Sequence, residues 1–112
     1  MLSPELLAAV FLWCQVYKVE PALPLAVMKL ESNFQCGPLG RKGTYIGPGG
    51  IHKCFRSKWA IDDPKENTRV TVAAFEGVKG EAAVTRRLKR YNPRWYEGNY
   101  LRDVLATYRR WK

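Results

Sequence analysis

Of the ten acidic residues in this chain, Glu31 is the one whose surroundings suit acid–base chemistry. Leu23, Val27, Leu30 and Phe34 share one helical face, and Glu31 falls roughly 70° from the middle of that stripe. It also lies near the C-terminal end of the same predicted helix, where the dipole disfavours a negative charge. Directly beyond comes the stretch CGPLGRKGTYIGPGG, residues 36–50, with six glycines and two prolines. A carboxyl caught between a buried face and such a loop loses solvation, holds its proton to higher pH and can act as a general acid. If solvated instead, the same glutamate pairs with Lys29 or Lys58, and position alone leaves both readings open.

Other chemistries find less support. His52 is the only histidine, and Cys14, Cys36 and Cys54 show no paired spacing of the zinc type, so no metal is expected. A Ser/His/Asp triad with His52 as base lacks any sign of a nucleophile elbow. The glycines of 47–50 precede His52 and Lys53, but no strand–loop–helix pattern makes them a phosphate loop. No cofactor is implied.

The elements that must position Glu31 are read from caps and periodicity. Ser3-Pro4 starts a helix expected over 4–17, whose apolar residues Leu7, Val10, Phe11, Cys14 and Tyr17 are widened by Leu6, Leu12 and Trp13, predicting burial on more than one side. A second helix is expected from about Pro21 through Ser32, and a short helical piece near 55–60. Asp63, Pro64 and Glu66 form a capping-box pattern for a helix over 64–76. Two more helices follow, 81–91 and 99–111; in the last, Leu101, Val104, Leu105 and Tyr108 repeat at i, i+3, i+4, i+7. The 36–50 stretch reads as loop with one short hairpin around 44–46. The fold class is therefore all-α, α+β at most by that hairpin, in one domain over 1–112.

Charge narrows the partners. The net charge is +9, but residues 1–50 contribute +1 and residues 51–112 contribute +8. The second half faces something anionic: nucleic acid, an anionic membrane surface or a carboxylate-bearing wall polymer. Arg86, Arg87, Lys89, Arg90, Tyr91, Arg94, Trp95 and Tyr96 interleave bases with aromatics as a nucleic-acid surface does. The longest apolar run, 6–14, is about half the ~20 residues of a membrane span. No base precedes it and no small-residue cleavage site ends it, so no Sec signal is read. Phage or secretion-system delivery, or excision from a longer precursor, is the expectation.

Three ordered motifs bring a family into view. Residues 19–34, VEPALPLAVMKLESNF, closely resemble the segment of soluble lytic transglycosylases and goose-type lysozymes that ends in Glu-Ser-x-Phe and carries the acid. Residues 47–53, GPGGIHK, resemble that family's Gly-x-x-Gly-Leu-Met-Gln cleft loop, and residues 88–92, LKRYN, its Ala-x-x-Ala-Tyr-Asn motif. Residues 67–74 fall where the family has its Asn-hydrophobic helix. The resemblance spans about 16–108. His52 and Lys53 stand in place of Met and Gln, and Arg90 and Pro93 in place of small residues.

The resemblance implies a lysozyme-like helical domain with a Gly-rich cleft loop. It makes Glu31 the catalytic acid and Ser32, Ile51, His52, Lys53, Tyr91 and Asn92 substrate-binding. It sends the Tyr91 hydroxyl toward Glu31 or the sugar, although the inward stripe Val84, Leu88, Tyr91 also fits a purely structural tyrosine. Ser32 equally fits a local helix-end hydrogen bond, and His52 is expected as cleft wall or sugar contact, not base. The family's loop returns beside the catalytic helix, which implies a Cys36–Cys54 disulfide, two separate thiols being the alternative. The implied partner is the glycan strand of peptidoglycan at the cell wall, in periplasm or outside the cell, engaged by a monomer with no nucleic acid. No Asp or Glu occurs between Ser32 and Ile61, and Asp63 is better explained as a cap, so a second catalytic carboxylate is not evident. That favours lytic transglycosylation, Glu31 acting as acid and then base, over the goose-type lysozyme's hydrolysis. A silent wall-binding module and a nucleic-acid-binding helical module are the non-catalytic alternatives.

Overall fold

The computed structural model describes residues 2–39 and 43–112. Five helices carry most of the chain: α1 (Pro4–Tyr17), α2 (Ala22–Ser32), α3 (Pro64–Ala73), α4 (Glu81–Tyr91) and α5 (Tyr100–Trp111). The Ser3 hydroxyl accepts from the Leu6 amide and the Asp63 carboxylate from the Lys65 amide, so both expected caps form, each followed by proline in the first turn. α3 ends at Ala73, three residues short of the expected end, because the chain turns through Phe75 to Gly77. No helix among the described residues is long and apolar enough to cross a membrane.

α1 packs on α3, and α2 on α5. One apolar cluster reaches all five helices, through Val10 and Cys14, Val27 and Met28, Val72, Leu88, and Val104 with Tyr108. Burial pushes the Cys14 thiol up to about 11, as suits an inert core residue. The expectation that α1 is buried on more than one side fails: Phe11, Leu12 and Val16 stay exposed, because only α3 and the core cover the opposite side. Polar contacts also tie the frame together. Tyr108 donates to Glu20 (2.9 Å), and Arg69, ion-paired with Glu66, donates to the Tyr17 hydroxyl (2.9 Å).

The described part of the Gly-rich stretch contributes to more than one hairpin. Strands β1 (Pro38–Leu39), β2 (Tyr45–Ile46) and β3 (Ile51–His52) form an antiparallel sheet in that order, with Pro38 opposite Ile46 and Ile46 opposite Ile51. A 3₁₀ segment, Lys53–Ser57, follows, earlier than the helical piece expected at 55–60. The sheet has its own small core of Ile46, Ile51, Ile61 and Val70, flanked by Trp59.

This topology corrects the disulfide expectation. Cys36 and Cys54 are exposed free thiols. β1 and β3 lie on opposite sides of β2, which separates them by about 10 Å, beyond the roughly 7 Å Cα limit for a bridge. Cys36 precedes β1 and Cys54 follows β3, so the two also sit at opposite ends of strands that run in the same direction.

What joins sheet and helices is Asn67 in the first turns of α3. Fully buried, it accepts from the Gly49 amide (2.9 Å) and donates to the carbonyls of Ile46 (2.8 Å) and Ile61 (3.0 Å). Gly47, at φ 68°, lies so close that a Cβ there would run into the Asn67 amide. Replacing Asn67 with alanine strands one buried N–H and two carbonyls, and each such loss costs on the order of 1–3 kcal/mol. Asn67→Ala is therefore expected to lose about 3 kcal/mol or more of stability in urea denaturation. A loss below about 1 kcal/mol would show that the loop does not depend on this side chain.

Candidate active site

α2 delivers Glu31 on its last turn, and the way the helix ends fixes where that carboxyl points. Asn33 (φ 52°) and Phe34 (φ 64°) are both left-handed, an uncommon state for a bulky aromatic, and burial of the Phe34 ring accompanies it. The Ser32 hydroxyl lies 2.7 Å from the Pro48 carbonyl and 3.1 Å from that of Met28. Ser32 is thus buried and ties the helix end to the glycine loop. It does not line the cleft, which corrects its expected substrate contact.

The loop then covers Glu31. Gly50 takes φ 57°, and a Cβ built on it would lie 3.0 Å from the Glu31 Cβ and 3.4 Å from a carboxylate oxygen. Neither expected cation reaches the acid: the Lys29 ammonium bonds the Asn33 amide oxygen (2.7 Å), and that of Lys58 sits 4.6 Å over the Trp59 ring. Glu31 is half-buried and makes no ion pair among the described residues, and burial raises its pKa to about 7. One group opposes the shift. The Tyr100 hydroxyl, from the first turn of α5, donates to Glu31 at 3.0 Å and stabilises the carboxylate.

Glu31 opens into a cleft of about 1090 Å³. Of the other expected contacts, Ile51, His52, Tyr91 and Asn92 line it. The Ile51 side chain is mostly committed to the small core beneath the sheet. His52 stands edge-on to Tyr45 (5.6 Å, 90°), and its Nδ1 accepts from the Cys54 amide (3.1 Å), which fixes the ring in the wall. Lys53 is a correction: its amide donates to the Thr44 carbonyl (2.8 Å), and its exposed side chain is no part of the cleft lining. Phe55, Trp59 and Tyr100 complete an aromatic wall, and Arg69, Arg90 and Arg94 make the cleft basic.

Tyr91 does something other than expected. Its hydroxyl donates to the Gly49 carbonyl (2.5 Å), and burial, then the neighbouring Glu31 charge, hold its pKa well above the ordinary phenol value. Tyr100, which sequence reasoning passed over, makes the contact to Glu31 instead. Its signal was available: Tyr100, Val104 and Tyr108 repeat at i, i+4, i+8, so a tyrosine tip ends the inward stripe of α5.

A second cleft carboxylate also escaped the sequence reading, which weighed no acid beyond Asp63 for this role. Glu97, between α4 and α5, lines the cleft but is held by Arg94 through two contacts of 2.8 Å. Among the described residues no three His, Cys, Asp or Glu side chains are grouped to hold a metal ion. The arrangement can therefore move one proton at Glu31, in an aromatic and basic cleft.

A raised acid has a cost with a definite pH signature. Between its ordinary pKa of 4.5 and about 7 the native state holds a proton that the unfolded chain has released, so stability falls as pH rises through that window and is flat above it. Glu31→Gln removes the effect and should gain on the wild type by up to about 3 kcal/mol between pH 4 and pH 8, at about 1.4 kcal/mol per pKa unit. Urea melts at the two pH values check this, and an equal difference at both would contradict it. Tyr100→Phe deletes the opposing hydrogen bond and should move the Glu31 titration, followed by carboxyl NMR, above 7.

No family model, no curated protein and no solved structure matches the chain.

Proposed function

We propose that this protein is a lysozyme-like peptidoglycan lytic transglycosylase that cleaves the bond between N-acetylmuramic acid and N-acetylglucosamine. One observation carries the reading: of the two carboxyls that line the cleft, Glu31 alone has no ion pair among the described residues, and its pKa of about 7 lets it both give and take a proton near neutral pH. The aromatic wall suits the apolar faces of sugar rings, and the basic rim suits the carboxylates of stem peptides. The helical frame with its small sheet is compatible with the lysozyme-like class. The protein would work as a monomer at the cell wall.

In this mechanism the Glu31 acid passes its proton to the glycosidic oxygen as the bond from that oxygen to C1 breaks. The resulting carboxylate then takes the proton of the muramyl C6 hydroxyl while O6 bonds to C1. Glu31 ends as it began, water is not consumed, and the product carries a 1,6-anhydro ring. Tyr100 steadies the carboxylate between the two steps. Hydrolysis by two carboxylates needs a free base or nucleophile. Glu97, clamped by Arg94, is poorly suited to either role.

The nucleic-acid reading loses support for a local reason. The Lys89 ammonium lies 4.2 Å over the Trp95 ring and Arg94 is paired with Glu97, which engages those two bases and Trp95 within the chain, though not Arg86, Arg87 or Arg90.

Incubation with purified peptidoglycan and mass spectrometry of the soluble products tests the proposal. Anhydromuramyl ends are expected from the wild type, with at least a 100-fold loss in Glu31→Gln, in line with the general-acid contribution of about 10²–10⁴. Activity of the wild type should fall as pH rises above about 7, where the acid form is lost. Reducing ends would assign the lysozyme reaction, and full activity in Glu31→Gln would remove the mechanism.

A further inference from the structure

A second hollow, of about 210 Å³, lies outside the Glu31 site and has no role in the chemistry above. Its wall is one face of α4, Ala83, Arg86, Arg87 and Arg90, spaced i, i+3, i+4, i+7, set against Gly77 and Val78 in the α3–α4 connection. Small residues on both sides leave the space open, and three arginines line it. No acid lines it, and none among the described residues pairs with Arg86, Arg87 or Arg90. By contrast Arg56, Arg69, Arg94, Arg102 and Arg109 each have a carboxylate partner.

Arg87 does not simply extend into solvent. It is instead half-buried and anchored, one Nη donating to the Ala74 carbonyl (2.6 Å) and, more weakly, to that of Glu76 (3.2 Å). That fixes one guanidinium plane and leaves its remaining donors unclaimed. Arg86 and Arg90 are exposed and flank it one turn apart. Like-charged side chains gathered without a counter-ion are unfavourable unless an anion joins them. A carboxylate brings one charge and two oxygens to three guanidinium groups, whereas a phosphate brings more charge and more acceptor oxygens, enough for a fork from each of several arginines.

We infer that the hollow between α4 and the α3–α4 connection is a phosphate-binding site formed by Arg86, Arg87 and Arg90. The ligand is a single phosphate group, whether free or carried on a phosphodiester polymer. The inference does not depend on the chemistry of the cleft, although Arg90 borders both spaces.

Calorimetric titration of the full chain with inorganic phosphate at constant ionic strength tests it. One saturable site is expected, weakened about tenfold or more in Arg86→Ala, since a fork to an anion is among the stronger hydrogen-bonding arrangements. Arg110→Ala removes the same charge from an exposed position on α5 and should change affinity less than about twofold, the size of a general charge effect. Acetate should bind far more weakly. Poly(glycerol phosphate) separates the sources: displacement of bound polymer by free phosphate identifies a phosphodiester chain, and a polymer that does not bind identifies the free ion. Unsaturable binding, equal weakening in Arg86→Ala and Arg110→Ala, or acetate matching phosphate would each overturn the inference. Because the readout is phosphate binding and not glycan cleavage, its failure is distinct from failure of the proposed activity.

Discussion

One buried amide sets the terms for the rest of the molecule. Asn67 satisfies a donor and two acceptors of the segment between Ile46 and Ile61 from the interior of a helix, where no water can substitute. Its oxygen and nitrogen are both used, so the loop has one register relative to α3. Gly47 must then be glycine, because Asn67 occupies the space a side chain would need, and Gly49 likewise, because Thr71 and Tyr91 crowd it. With those positions fixed, Gly50 is pressed against Glu31 and Pro48 is brought to the Ser32 hydroxyl. The acid's desolvation is thus a consequence of an asparagine more than thirty residues away in sequence.

That chain of constraints also explains why the helix end tolerates two successive left-handed residues. Turning the chain at Asn33 and Phe34 stops α2 directly after Ser32 and buries the Phe34 ring. A helix continued by another turn would carry the backbone past the loop that covers Glu31. Conformational strain at Phe34 and electrostatic strain at Glu31 are therefore linked costs of one placement, offset by the core and by the Asn67 contacts.

Local rules made the helical frame legible: Ser3-Pro4, Asp63-Pro64 and the α5 stripe each encode their element in a few adjacent residues. Glu31 was legible for the same reason, since its angle to the stripe and its distance from the helix end are short-range facts. The sheet was legible only as one short hairpin, because two-residue strands have no periodicity to read and exist only through pairing across the loop. Ser32 and Lys53 were misjudged because a motif fixes sequence neighbours, while burial decides which neighbour faces the cleft. The cysteines failed on topology, since proximity along a loop says nothing of which side of β2 each end takes.

The exchange of roles between two tyrosines follows from counting protons. A phenol has one O–H, and the Tyr91 proton goes to the Gly49 carbonyl, which no other donor among the described hydrogen bonds reaches. Once committed there, Tyr91 cannot donate to Glu31, and a second hydroxyl is needed if the carboxylate is to have a donor at all. Tyr100 supplies it from the start of a helix that packs directly on α2. The division separates two demands that one residue could not meet: α4 holds the loop that desolvates the acid, and α5 tempers the resulting shift. The loop's hold raises the pKa and the donor lowers it, so the balance near neutrality is set by the relative positions of two helices around α2.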